Sequence, residues 1–135
     1  MRYPAVLLLL IALAAPGVAH AADVYVNPAQ AGCSDAAGIA VAANAATPWC
    51  SPAPAVRLAR PGDVVHLAAA TYGAQLRPAT SGTADQPIVY KADGLATVAA
   101  PIGTVGVMLV GVHDVVLRGL TVLASAPQGV WVATR

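Results

Sequence analysis

Side chains able to do chemistry are few in this chain, and their types narrow what that chemistry would be. The acidic residues are Asp23, Asp35, Asp63, Asp85, Asp93 and Asp114, with no Glu among them. Hydrolysis of a glycoside needs two carboxyl groups about 5 to 10 Å apart. Asp93 and Asp114 lie in the turn-like pairs Asp93-Gly94 and His113-Asp114, where Asp serves local backbone hydrogen bonds, so no carboxylate pair is visible. Asp63 follows Pro61-Gly62 and is expected to fix the turn into a strand rather than to catalyse. His66 and His113 have no neighbours that complete a triad, and each reads as a surface or hydrogen-bonded histidine. Lys91 and Arg118 fall in strand-like runs, where an outward charge is ordinary surface. A Gly-x-Ser-x-Gly elbow, a phosphate loop and zinc-ligand spacing are all missing from the sequence.

Cys33 and Cys50 are the only cysteines. In an oxidising compartment they are expected to form a disulfide, and the chain-entropy model values a loop of that length at about 3 kcal/mol. A metal site is the rival reading, and it lacks a nearby histidine or acidic cluster. Nothing nearby would lower a thiol pKa as a catalytic cysteine requires.

The compartment follows from residues 1–21, which read as an export signal. Arg2 supplies a positive start, Ala5 to Ala15 is unbroken apolar sequence, and Ala19-His20-Ala21 is the small-x-small pattern cut by signal peptidase. That apolar run is too short for a membrane span, which needs about 20 residues. Cleavage before Ala22 would leave Arg57, Arg60, Arg77, Lys91, Arg118 and Arg135 to balance the six Asp. No basic stripe for nucleic acid results. A polyanion would have to be held by a few placed cations or by a metal. Phe is absent, so the core must come from Val, Leu, Ile and Ala.

The elements that must position these residues are mainly short strands. Val24-Tyr25-Val26 alternates as a strand and is ended by Asn27-Pro28. A long loop follows, tied by the expected disulfide. Ser51 resembles a helix N-cap, with Pro52 and Pro54 in the first turn and Val56 and Ala59 on one packing side, before Arg60-Pro61-Gly62 ends the helix. Further strands are predicted at Val64 to Leu67, Ile88 to Ala92, Thr97-Val98, Val105 to Val110, Val115 to Val122 and Val130 to Val132. No helical periodicity occurs after Arg60, so the remainder is expected to be all β. Gly106-Val107-Met108-Leu109-Val110 is echoed 23 residues later by Gly129-Val130-Trp131-Val132-Ala133. Such a period is the signature of a stacked solenoid, which needs several turns. The chain carries barely more than one such repeat and is therefore read as the N-terminal part of a longer protein.

The order of these segments resembles the N-terminal region of secreted right-handed parallel β-helix proteins of the pectin-lyase-like kind. The resemblance runs from Val24-Tyr25-Val26-Asn27-Pro28 through Gly32-Cys33-Ser34-Asp35 and Thr47-Pro48-Trp49. It continues through Arg60-Pro61-Gly62-Asp63-Val64-Val65-His66-Leu67, Ala70-Thr71-Tyr72 and Ser81-Gly82-Thr83, and ends in Gly111 to Val122. Ala70 departs from the Gly usual before Thr-Tyr, and Pro52 and Pro54 shorten the helix. The resemblance implies an all-β solenoid in which residues 22–135 form the cap and first coils, with the helix covering the open end of the stack. It also implies action on polysaccharide, lyase-like or hydrolase-like. In such a lyase, Arg or Lys takes the proton alpha to a uronate carboxylate, whose charge is neutralised by Arg or by Asp-bound calcium. On this pattern the candidates are Arg118, Lys91, Asp93 and Asp114, with calcium the cofactor to consider in the complete protein. The active centre is expected outside this chain, which alone would be inactive. A non-catalytic surface or carbohydrate-binding scaffold is the alternative. Location is read as secreted or periplasmic, with no nucleic acid partner and no stable membrane span after cleavage.

Overall fold

A computed structural model describes residues 21–123 and 126–134. Residues 1–20 of the expected export signal lie outside the described residues.

Strands dominate, and every ladder is parallel. The first sheet runs β1 (Asp23–Val26), β2 (Val64–Tyr72), β3 (Ile88–Ala99) and then β5 (Val115–Arg118), with β6 (Thr121–Leu123) also on β3. A second sheet pairs β4 (Val107–Val110) with β7 (Val130–Ala133). Its register is Val107 on Val130 and Val110 on Ala133, which matches the 23-residue echo seen in the sequence. Leu76 extends this second ladder by an isolated parallel bridge to Val107.

Alternation along each strand sends one set of side chains inward. Val24, Val65 and Tyr90 share one inward column, and Val26 stands beside Leu67 in the next. All five are essentially solvent-free, with Ile88, Leu76, Val98 and Val107 completing the layer. Tyr90 and Tyr72 are polar exceptions in this core. Tyr72 donates to the Ala68 carbonyl at 2.8 Å, and burial pushes its phenol up to about 12. Burial, and then the charge of Asp63, push the Tyr90 phenol higher still.

The segment before β2 covers the edge of β1. Trp49 is fully buried, its amide donates to the Tyr25 carbonyl at 2.9 Å, and its own carbonyl accepts from Asn27 at 2.8 Å. Its indole donates to the Ala37 carbonyl at 2.8 Å. The expected disulfide between Cys33 and Cys50 is formed, with the two Cα atoms 5.0 Å apart. The loop it closes is not wholly irregular, since Ile39–Ala42 forms a one-turn helix, α1. No periodicity could announce so short a helix, because one turn carries no repeat.

The second helix, α2, occupies Ala55–Leu58, and Ala55 and Ala59 enter the core. Its N-cap is Pro54 rather than Ser51. The Ser51 hydroxyl donates to Asp35 Oδ2 at 2.7 Å and accepts the Ala53 amide at 3.3 Å in the turn before the helix, and Asp35 Oδ1 accepts the amides of Cys50 and Ser51.

Three strands differ substantially in extent from their sequence prediction. β2 continues past Leu67 to Tyr72. β3 runs through Asp93-Gly94 instead of stopping there, by inserting one residue opposite the Ala68 to Ala70 step with Gly94 at φ 105°. Such a bulge lets a strand pass a turn-forming dipeptide without ending. The predicted strand Val115 to Val122 is instead divided into β5 and β6 at Gly119, whose φ of 71° belongs to a bend.

Candidate functional site

Parallel, in-register pairing turns a strand's outward residues into columns that run across the sheet, with about 4.8 Å between neighbours. The pairs Tyr25 on His66, His66 on Lys91, and Lys91 on Arg118 make one such column over four strands. Asp23 lies two residues before Tyr25 on β1, and Asp93 two after Lys91 on β3. Both therefore project from the same face as the column and reach it diagonally.

His66 is the centre of this group. Its Nε2 lies 2.9 Å from Asp23 Oδ1 and its Nδ1 lies 2.7 Å from Asp93 Oδ2. The Tyr25 ring stacks on the imidazole with centroids 5.0 Å apart and planes 22° from parallel. Lys91 Nζ lies 3.4 Å from the other oxygen of Asp93. The His66 side chain is only 16% exposed, whereas those of Asp23 and Asp93 keep 63% and 41%. Arg118 is exposed at the end of the column, and among the described residues no ion pair involves it.

An ionised carboxylate accepts hydrogen bonds and does not donate them. Both contacts of His66 are therefore N–H to oxygen bonds when the ring carries two protons, and one is lost when it carries one. Asp23 and Asp93 hold the imidazole by its two nitrogens, and Tyr25 covers its face. The result is a fixed polar surface, with carboxylates able to accept hydroxyl hydrogen bonds and two cations, Lys91 and Arg118, able to face an anion.

The sequence reading of His66 as a surface or hydrogen-bonded histidine names no partners, and the structure supplies them. Its partners are 43 and 27 residues away and meet it only through the register of three strands. Asp93 is likewise more than a turn residue, since the bulge keeps it in β3 with its carboxylate aimed at His66 and Lys91. Asp23 and Tyr25 went unnoticed as site residues. Their signal was the strand itself, because Val24 and Val26 pointing inward puts Asp23 and Tyr25 outside.

The remaining candidates lie elsewhere. Asp114 has a left-handed backbone, φ 52°, and its carboxylate contacts the neighbouring His113 Nδ1 at 2.8 Å, which accords with a local turn role. Asp63 sits at the turn into β2 as expected and is buried. A shallow cleft of about 370 Å³ lies between Arg77-Pro78-Ala79 and Val110-Gly111-Val112, continuing past His113 and Thr134. Its lining brings no carboxylate to Arg77.

No family model, curated protein or solved structure matches this chain. No helix among the described residues is long and apolar enough to cross a membrane, and no group of three or more potential metal ligands with suitable geometry occurs among them. The disulfide suggests an oxidising, extracytoplasmic environment.

Proposed function

We propose that this chain supplies the cap and first coils of an exported right-handed parallel β-helix protein that acts on polysaccharide, lyase-like or hydrolase-like. The observation that carries the reading is the outward column Tyr25, His66, Lys91 and Arg118, flanked by Asp23 and Asp93. An extended polymer lying across the strands would meet an aromatic face, hydroxyl acceptors and then two cations in a line. That order suits a sugar chain bearing carboxylates or sulfates, with ring faces near Tyr25 and acidic groups near Lys91 and Arg118. The all-parallel pairing and the 23-residue register of β4 on β7 support stacked coils. The exposed apolar residues Val130, Trp131 and Val132 offer a surface on which a further coil can stack.

Within the described coils the column binds and orients. Both His66 nitrogens face carboxylates, and Lys91 is engaged by Asp93, so the proton-abstracting group belongs to another coil. The same observation favours a second reading, a non-catalytic scaffold that presents this face to carbohydrate.

One experiment separates the two. The exported protein is incubated with pectate, alginate and a sulfated glycosaminoglycan, and both retention on the immobilised polymer and release of unsaturated or reducing ends are followed. Retention with product supports the enzyme, and retention without product supports the scaffold. Retention that persists unchanged in the Lys91→Ala/Arg118→Ala double variant, or no retention on any polymer, sinks the assignment of the column.

A further inference from the structure

Asp63 is the one buried charged residue among the described residues, at 2% exposure, and the proposed carbohydrate site makes no use of it. Its Oδ2 accepts the Arg60 amide at 2.8 Å, and its Oδ1 accepts the amide of Ala22 at 2.9 Å. No ion pair involves it among the described residues. A buried carboxylate held only by neutral donors carries a desolvation cost that a countercharge would offset. Its charge is felt nearby, since it helps push the Tyr90 phenol upward from β3.

The position of Ala22 gives this geometry its meaning. Ala22 follows the Ala19-His20-Ala21 cleavage pattern. Its carbonyl accepts from Val64 at 2.9 Å, so the start of the chain is already registered on β2 at the residue next to Asp63. Gly62, at φ 87°, turns the loop so closely under the cleavage point that a Cβ there would lie 2.9 Å from that of Ala21.

We infer that Asp63 is the receptor for the α-amino group that signal cleavage creates at Ala22. Hydrolysis of the Ala21–Ala22 peptide bond consumes one water and leaves a carboxylate on Ala21 and an ammonium on Ala22. The nitrogen that was a neutral amide donor 2.9 Å from Asp63 Oδ1 becomes a cationic one. The amide bond to the carboxylate is already charge-assisted, and an ammonium adds to it the direct attraction of opposite charges in a buried setting. Processing thereby places a countercharge beside a buried anion and fastens β1 to β2. The precursor, with an amide at this position, lacks that fastening until it has been exported and cut. This inference rests on the export reading contained in the proposed function.

The test uses the full-length chain expressed in a secreting host. Intact mass and N-terminal sequencing of the exported protein locate the cut, and its thermal midpoint is compared before and after acetylation of the Ala22 amine, with the lysine amine blocked in both samples. The expected result is an N-terminus at Ala22 and a lower midpoint on acetylation. The native α-amine is also expected to acylate roughly tenfold or more slowly than in the urea-unfolded chain, as sequestration in one charge-assisted bond implies. In Asp63→Asn both differences should vanish. Should that variant fail to fold, the acetylation comparison and the acylation rate decide alone. A mature N-terminus elsewhere overturns the inference while leaving export intact, and failure of export removes both. A midpoint and acylation rate indifferent to the free amine overturn the inference by themselves.

Discussion

Replacing His66 separates the two kinds of interaction that assemble the outward column. His66→Phe keeps a flat ring over Tyr25 and removes the contacts to Asp23 and Asp93, whereas His66→Ala removes the ring as well. The two carboxylates keep 63% and 41% exposure, so each contact is valued as a surface pair, about 0.2–1 kcal/mol. The stack, with centroids 5.0 Å apart, adds about 0.5–1.5 kcal/mol. His66→Phe should therefore destabilise by about 0.4–2 kcal/mol and His66→Ala by about 1–3.5 kcal/mol. The assay is urea unfolding at neutral pH, repeated in low salt and in about 1 M salt, where the Debye length falls to roughly 3 Å. The Phe penalty reports the contacts of the two ring nitrogens to Asp23 and Asp93. The difference between the Ala and Phe variants should persist, because stacking is not screened. A Phe variant as stable as the parent in low salt would refute the assignment of His66 as the hydrogen-bonded centre of the column.

Three further outcomes follow from other parts of the fold. A Cβ on Gly82 would meet the Asp114 carbonyl oxygen at 2.5 Å and the Ile88 nitrogen and Pro87 Cα at 2.7 Å, all backbone, so Gly82→Ala should cost about 1–3 kcal/mol or more on unfolding. Gly38→Ala and Gly73→Ala, where nothing lies within 4 Å, should stay within about 0.5 kcal/mol, and equal effects at all three sites would contradict the packing described. Removing the disulfide as Cys33→Ala/Cys50→Ala should lower stability by about 3 kcal/mol in chemical denaturation, and an unchanged midpoint would show that the loop is held by Trp49 and Asp35 alone. Tyr72 titrates near 12 and Tyr90 higher when folded, against an ordinary value of 10.0, so the folded chain holds these protons more tightly. Their stabilising contribution is fully present below about pH 10 and declines as pH rises through 12, with unfolding and phenolate absorbance appearing together.

Much of the sheet was legible because parallel strands buried on one face leave a strong local signal. Val24-Tyr25-Val26 and Val64-Val65-His66-Leu67 alternate, and inward Val24 and Val65 are indeed paired. The extent of strands was less legible, because Gly and Asp mark both turns and bulges. Asp93-Gly94 signals a break, and only pairing with a continuous β2 converts that break into a bulge inside β3. Ser51 shows the same ambiguity at a helix start, since its hydroxyl donates to Asp35 and accepts the Ala53 amide one turn ahead, while the N-cap is Pro54.

The column was hidden for a different reason. Each of Tyr25, His66, Lys91 and Arg118 sits alone among apolar neighbours in the sequence, and an isolated polar residue on a strand has solvent as its obvious partner. In a stack of parallel strands its nearest neighbours are the residues at the same register in the strands on either side, about 4.8 Å away. Register is fixed by the inward residues, since a slip by one position would turn Val65 and Tyr90 to solvent and bury His66 and Lys91. The core thus determines the outward cluster without touching it. Volume changes at Val65 or Tyr90 should disturb the His66 contacts, whereas exchanges at His66 should leave the register intact.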